Sequence, residues 1–380
     1  MGSQVSIVRC NDYLEAKAAI IEALDLIGGL DNIISSGDRV LLKPNVLAAR
    51  TPDEAVTTHP SIISAMCELV VEAGGIPVVG DCAGITWPGV TEEALDVSGI
   101  RDAASECGAE VISFETAGFS ELTVPNAVHF HRLYLSNVPL EADVVISLPK
   151  LKTHELTLYT GAVKNMFGVI PLKTRKQAHL LADRERFGDA VVDIYSARMP
   201  CLAIMDGVVG MEGNGPSHGT PREVGFVMAS YDCVSLDVVA SRLIGFDPMS
   251  VPTTAAAIRR GFGDLHPEVV GVAVSEVRVK FERSTGGLIG RLPPFVVSTL
   301  GRFFTIRLRI DPEKCSRCGA CVRNCSAHAI EEVDGMLQIN DDNCLLCYCC
   351  RELCPHDAVY MERSWMARSL LFAQRMLARR

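Results

Sequence analysis

Eleven residues toward the C-terminal end hold five cysteines, Cys344-Leu-Leu-Cys347-Tyr-Cys349-Cys350-Arg-Glu-Leu-Cys354, with Pro355 behind them. An earlier run, Cys315-Ser-Arg-Cys318-Gly-Ala-Cys321-Val-Arg-Asn-Cys325, has the same C-x2-C-x2-C-x3-C spacing. The two runs are halves of an internal repeat, because Ile310 to Lys314 aligns with Ile339 to Asn343 and Ala329-Ile330 with Ala358-Val359. Zinc sites use looser intervals. Thiolates this close suit a cubane iron–sulfur cluster, in which three neighbouring cysteines and one distant cysteine hold the irons. Cys349 fits neither run and reads as a thiol that ligates nothing.

Across residues 308–362 the repeat resembles the bacterial two-cluster ferredoxins. The resemblance implies two [4Fe–4S] clusters with a crossed ligand set. Cys315, Cys318, Cys321 and Cys354 would hold one, and Cys344, Cys347, Cys350 and Cys325 the other. Pro355 is kept, whereas Ser326 stands where the family has its other proline. Two clusters in series imply an electron wire, and hence an external electron donor or acceptor of the ferredoxin or reductase class.

A second set of reactive residues lies far upstream, where apolar runs end in polar ones: Leu41-Leu42 in Lys43-Pro44-Asn45, Val78-Val79 in Gly80-Asp81, Ile146-Ser147-Leu148 in Pro149 to His154, and Ile204-Met205 in Asp206. In open α/β sheets the carboxyl ends of the strands line the ligand crevice, so these endings are expected to converge. Lys150, Lys152, Lys164, Lys173 and Arg175 form a basic island that would attract a carboxylate or phosphate. A small anionic molecule is therefore the expected ligand, bound by Lys43, Asn45, Lys150, Lys152, Asn165, Glu212 and Asn214. His154 is the candidate proton donor or acceptor, since imidazole titrates near neutrality. Lys164 is its catalytic companion, more an anion clamp than a nucleophile. Residues 207–219 hold five glycines and are expected to be a loop that approaches a ligand or closes as a lid. Neither a Walker loop nor a G-x-G-x-x-G turn is present, so ATP and NAD are not expected, while a further organic cofactor of unspecified kind remains open. Asp81, Asp206 and Glu212 follow no metal-ligand spacing and are expected to brace loops or cap helices. His59 either joins the crevice or starts a helix, and Cys82 is flagged as a thiol in the cleft.

Val40 to Asn45, Thr58 to Ser61, Leu148 to His154, Gly161 to Gly168 and Asp206 to Pro216 together resemble the family called domain of unknown function 362, often fused to a ferredoxin, over roughly residues 38–248. A weaker similarity links His154 and Lys164 to the nickel-pincer lactate racemases, with Ala162-Val163 where that family has paired glycines. It implies that His154 and Lys164 face one cleft.

The elements that must position these residues alternate strand and helix. Strands are expected at 4–9, 39–42, 77–80, 110–114, 143–148 and 201–205, with helices over 13–26, 61–73, 101–107, 183–198 and 233–244. Several strands are continuously apolar, as parallel strands buried on both faces are. The expected fold is α/β, an open, mostly parallel sheet with helices on both faces, plus a small α+β ferredoxin-like domain. An antiparallel excursion is expected over 125–137. The domain reading is 1–285 for the α/β unit, 286–307 for a connector, 308–362 for the cluster unit and 363–380 for a basic amphipathic tail helix. That tail is expected to pack on the chain or a partner subunit, with peripheral membrane contact as the alternative.

A chain of 380 residues exceeds one ordinary core, in keeping with two units. The net charge of −10 argues against nucleic acid. No apolar run reaches the roughly 18 residues of a transmembrane segment. Fifteen cysteines without a signal peptide point to a reducing prokaryotic cytoplasm. Three functions follow: an iron–sulfur oxidoreductase, an electron-donating or activating partner of another enzyme, and a racemase-like isomerase with an accessory ferredoxin. A homodimer is compatible with all three.

Overall fold

The computed structural model describes residues 3–84, 89–181, 183–284 and 306–364. Nearly all of the expected connector and all but the first two residues of the expected tail helix lie outside the described residues.

Ten strands form the central sheet: β1 (Gln4–Arg9), β2 (Arg39–Pro44), β3 (Ile76–Asp81), β4 (Glu110–Ser113), and, after the separate hairpin of β5 (Phe119–Thr123) and β6 (Arg132–Ser136), β7 (Val144–Leu148), β8 (Lys150–His154), β9 (Leu158–Thr160), β10 (Leu202–Glu212), β11 (Thr220–Ser230) and β12 (Glu268–Gly271). Their order is β12-β1-β11-β10-β7-β2-β3-β4, with β8 paired to β10 and β9 to β8. The run from β10 through β7, β2 and β3 to β4 is parallel, while β11 is antiparallel to both β10 and β1. Every residue of β7 is buried, as are Val40, Leu41 and Leu42 of β2, because helices cover both faces. One face packs Met205, Phe187 and Phe226; the other packs Leu42, Ile62 and Ile20. The expected open, mostly parallel α/β sheet is thus the architecture found.

Helices Ala16–Asp25, Pro60–Glu72, Arg184–Ala197 and Cys233–Leu243 occupy the expected stretches. The excursion over 125–137 is the β5–β6 hairpin and its turn, in which His129 and Phe130 donate their N–H groups to Asp193. Lys150 to His154 forms a strand of its own beyond the expected one at 143–148. The first half of the glycine-rich run is strand as well, since β10 continues through Glu212 against β11, and only 213–219 form the turn. Its glycines serve close packing: a Cβ at Gly207 would lie 2.4 Å from the Phe226 ring, and one at Gly210 would lie 2.9 Å from Leu151 O.

The C-terminal unit pairs β13 (Ile306–Ile310) with β16 (Val359–Arg363), and β14 (Ile330–Val333) with β15 (Met336–Ile339). Its internal repeat is visible in the backbone. The short helices Ala320–Asn324 and Cys349–Glu352 each carry the third cysteine of a run. Ala329 N and Ala358 N each donate to the Sγ of the fourth, Cys325 and Cys354, at 3.2 Å.

The second of these helices docks on the large sheet. Leu353, just beyond it, packs into the core on one face, so close that a Cβ at Gly84 would lie 2.9 Å from its side chain. Ser217 Oγ donates to Glu352 O at 2.6 Å, His218 Nε2 lies 2.8 Å from Arg351 O, and Arg351 pairs with Glu155. The turn after β10 therefore serves as a docking element for the cluster unit.

Candidate functional site

Where the two units meet lies a cavity of about 110 Å³. Strand ends supply Asn45, Asp81, Lys150, Lys152 and His154 to its wall. The Gly161–Gly168 segment adds Lys164, Asn165 and Phe167; helix Leu172–His179 adds Arg175 and His179. The cluster unit closes it with Cys349, Glu352 and Leu353. The expected convergence of strand endings is present, and so is the meeting of His154 and Lys164 in one cleft.

Much of the expected positive charge is neutralised internally. Lys43 stands behind the wall, its Nζ bonded to Asp81 Oδ1 at 2.7 Å, Pro44 O at 3.0 Å and Asn165 Oδ1 at 3.3 Å. Asn165 in turn donates to Lys43 O and Ser147 Oγ. Lys150 Nζ meets Asp206 Oδ2 and Tyr13 OH, both at 2.8 Å, and Tyr13 OH donates to Asp206 Oδ1 at 2.9 Å. All four charged groups are buried. Buried ions keep their charge only when so paired, which makes Lys43 and Lys150 braces of the strand ends more than ligand hooks. Asp81 and Asp206 brace as expected. His59 begins its helix, accepting from Ser61 N at 3.2 Å while stacked 3.5 Å from the Tyr13 ring.

Two lysines remain. Lys152 donates to Val56 O at 2.7 Å, and burial, aided by Lys164 and Lys150, lowers it to about 7. Lys164 has no hydrogen bond or ion pair within 4 Å among the described residues. Its Nζ sits 4.1 Å from the centre of the Phe167 ring and 5.6 Å from that of Phe187. Burial lowers it to about 8, against the pull of Glu352. An ammonium held only by ring faces is ready for an anion. Arg175 is not, since its guanidinium donates to the carbonyls of Ile170, Ala83, Cys82 and Gly168.

His154 Nδ1 accepts from Leu156 N at 3.0 Å and Thr157 N at 3.2 Å. Burial and the neighbouring Lys164 hold its pKa well below the usual value, so the ring is neutral. Two backbone donors on Nδ1 assign the ring proton to Nε2, which lies 3.7 Å from Glu352 Oε1. His154 is thus built as a hydrogen-bond donor. Cys82 lines the cavity as flagged, with burial pushing its thiol up to about 12.

Glu212 and Asn214 correct the sequence expectation, because neither reaches the cavity. Glu212 accepts from Glu282 N at 2.9 Å and lies 3.5 Å from Arg222, out along the β10–β11 hairpin, and Asn214 sits in its turn. Of the glycine-rich run only Pro216 lines the wall. Conversely Phe167, His179, Cys349 and Glu352 were not anticipated there; the acidic and thiol side chains inside the second cysteine run were the available signal.

Cys315, Cys318, Cys321 and Cys354 surround one small cavity of the C-terminal unit, and Cys325, Cys344, Cys347 and Cys350 surround another. Both groups have four thiols, without a disulfide, and the backbone donors to Cys325 and Cys354 suit cluster sulfur ligands. The donor sets fit the clusters that the spacing implies. Cys349 lines both the second of these cavities and the crevice.

The profile of the family described as Domain of unknown function (DUF362) matches residues 40–242, and that of a 4Fe-4S dicluster domain matches residues 307–355. The thylakoid-associated protein sll1697 of Synechocystis sp. is 36% identical over 273 residues, which are 71% of this chain and 83% of that protein. Indolepyruvate oxidoreductase subunit IorA of Methanothermobacter marburgensis is 24% identical over 286 residues, 72% of this chain but 39% of the subunit. Among solved structures, the lactate racemase apoprotein from Thermoanaerobacterium thermosaccharolyticum superposes with a TM-score of 0.41 at 12% identity, covering 64% of this chain and 57% of that one. Among the described residues no helix is long and apolar enough to cross a membrane. With its iron–sulfur-binding unit at the C-terminal end, the chain belongs to the DUF362 family.

Proposed function

We propose that the chain is an iron–sulfur oxidoreductase that reduces a small carboxylate or phosphate compound in the crevice. Cys315, Cys318, Cys321 and Cys354 would hold one [4Fe–4S] cluster, and Cys344, Cys347, Cys350 and Cys325 the second, within units bounded at 1–285 and 308–362. The clusters supply electrons one at a time from an external ferredoxin-type donor. Lys164 clamps the substrate anion, with Asn45 and Lys152 beside it. His154 donates its Nε2 hydrogen bond to the substrate oxygen on which charge builds. Two electrons and two protons reduce one substrate double bond; Lys152, held near neutrality by burial, supplies one proton and solvent the other. Phe167 and Leu353 keep bulk water from the reacting atoms.

The observation that carries this reading is the position of Cys349, whose neighbour Cys350 is a cluster ligand while Cys349 itself is part of the crevice wall. Exposed Cys318 marks the end at which a donor would dock. That exposure also supports a second reading, in which the chain passes electrons to another enzyme; the oxidoreductase subunit among its relatives points the same way. The thylakoid association in the name of the other relative supports work at a membrane surface.

The test is anaerobic. Dithionite-reduced protein is mixed with a panel of small carboxylates and phosphates, and cluster reoxidation is followed by visible absorbance. A panel member that reoxidises the parental protein but not Lys164→Ala, whose reduction by dithionite is unchanged, is the expected result. Reoxidation of Lys164→Ala at the parental rate, by a partner protein or by every panel member, would refute the crevice as the acceptor site.

A further inference from the structure

Cys349 is the cysteine that neither ferredoxin run uses, and it does not stand alone. Its Sγ, the Sγ of Cys347 and a ring nitrogen of His179 all lie within 4.8 Å of one another. Helix Leu172–His179 of the α/β unit brings the histidine, and the second cysteine run brings the thiols, so the group forms only where the units meet. His179 Nδ1 is sealed from solvent and has no hydrogen-bond partner among the described residues. Phe167 and Phe187, 5.7 Å and 4.8 Å away between ring centres, fix the plane of its ring. A buried imidazole nitrogen left without a partner costs free energy unless something occupies the space before it.

We propose that His179, Cys349 and Cys347 bind a single borderline divalent cation, of which zinc is the type, at the boundary between the second cluster cavity and the crevice. The donor set is one imidazole and two sulfurs, the softness that selects such ions over magnesium or calcium. Zinc–sulfur and zinc–nitrogen bonds of about 2.3 and 2.0 Å place tetrahedral donors about 3.5–3.8 Å apart, so roughly 1 Å of side-chain movement closes the present spread. Cys347 would bridge, its thiolate shared between the cluster and the ion. Cys349 and His179 both line the crevice, so the fourth position opens toward the pocket that holds Lys164 and His154. An ion there would offer a substrate oxygen a Lewis acid next to the last cluster. The proposal stands apart from electron delivery, since the crevice could accept electrons with or without the ion.

The experiment uses full-length protein with its iron–sulfur centres intact, equilibrated anaerobically with zinc alone and then desalted. The expected result is roughly one retained zinc per chain, with a zinc-edge absorption spectrum fitted by sulfur at about 2.3 Å and imidazole nitrogen at about 2.0 Å. Cys349→Ser and His179→Gln are each expected to lose at least about tenfold in zinc affinity while iron content and dithionite reduction stay parental. No zinc retained by the parental protein, a spectrum without sulfur neighbours, or equal zinc retention in both variants would overturn the site. Should either variant lose iron, the spectrum of the parental protein decides alone. Failure here would leave the Lys164→Ala reoxidation result untouched, and the reverse also holds.

Discussion

Lys152 carries a charge that the fold does not balance, and its replacement by methionine makes the cost measurable. The ammonium is fully buried, makes its hydrogen bond to Val56 O, and is lowered from 10.5 to about 7, chiefly by burial. In the unfolded chain the amine keeps its ordinary value. Between pH 10.5 and about 7 the unfolded state therefore holds a proton that the folded state has lost, and stability falls as pH falls through that window. Below about 7 both states are protonated and the penalty is constant. A displacement of about 3.5 pH units is worth about 5 kcal/mol at pH 6, and the 1.5 units left at pH 9 are worth about 2 kcal/mol. Methionine forfeits the bond to Val56 O, about 1 kcal/mol at either pH. Lys152→Met should thus exceed the parental protein by about 4 kcal/mol at pH 6 and by about 1 kcal/mol at pH 9. At about 2–4 °C per kcal/mol for a domain of this size, the gap in melting temperature narrows by about 6–12 °C between the two pH values. Anaerobic thermal melts followed by far-ultraviolet circular dichroism read this directly. An equal gap at both pH values, or a variant that melts below the parental protein at pH 6, would refute the uncompensated charge. Retention of so costly a group is what a stability-for-function trade predicts.

Other perturbations test the frame around the crevice. Asp206→Ala leaves Lys150 buried without its carboxylate, costs about 3–5 kcal/mol and lowers the melting temperature by about 6–20 °C; adding Lys150→Met should recover most of the loss. Asp237 accepts from Ala162 N, Val163 N and Tyr159 OH at the start of the helix that carries Lys164. Asp237→Asn weakens those bonds by about 1–3 kcal/mol, and thermal melts should show it. Gly84→Val pushes side-chain atoms into Leu353 and Leu47, so faster limited proteolysis between the two units is expected with iron content kept; an unchanged digestion rate would argue against Leu353 as the docking anchor.

The cysteine runs were legible because cluster ligation imposes its own spacing, and the repeat survives as matched helices and matched N–H to Sγ bonds. The strand endings were legible because parallel strands are apolar until they stop. What stayed hidden were partnerships between distant positions. Lys43 meets Asp81 across 38 residues and Lys150 meets Asp206 across 56, so the basic island looked freer in sequence than it is in the fold. Glycine misled in the β10 run, where it makes room for Phe226 and Leu151 and does not loosen the chain. The cavity's far wall could not be read either, because Glu352 and Cys349 reach Lys164 and His179 only through docking of the second unit.

The wall shared by the two units makes the crevice a property of the whole chain. A shortened version ending before the iron-binding portion would keep its sheet but hand Lys164, His154 and Phe167 to open water. Lys164 and His154 would drift back toward their ordinary acidities, and Glu352, the carboxylate facing them, would be gone. Dividing the polypeptide would therefore dismantle the crevice, because that enclosure belongs to neither half.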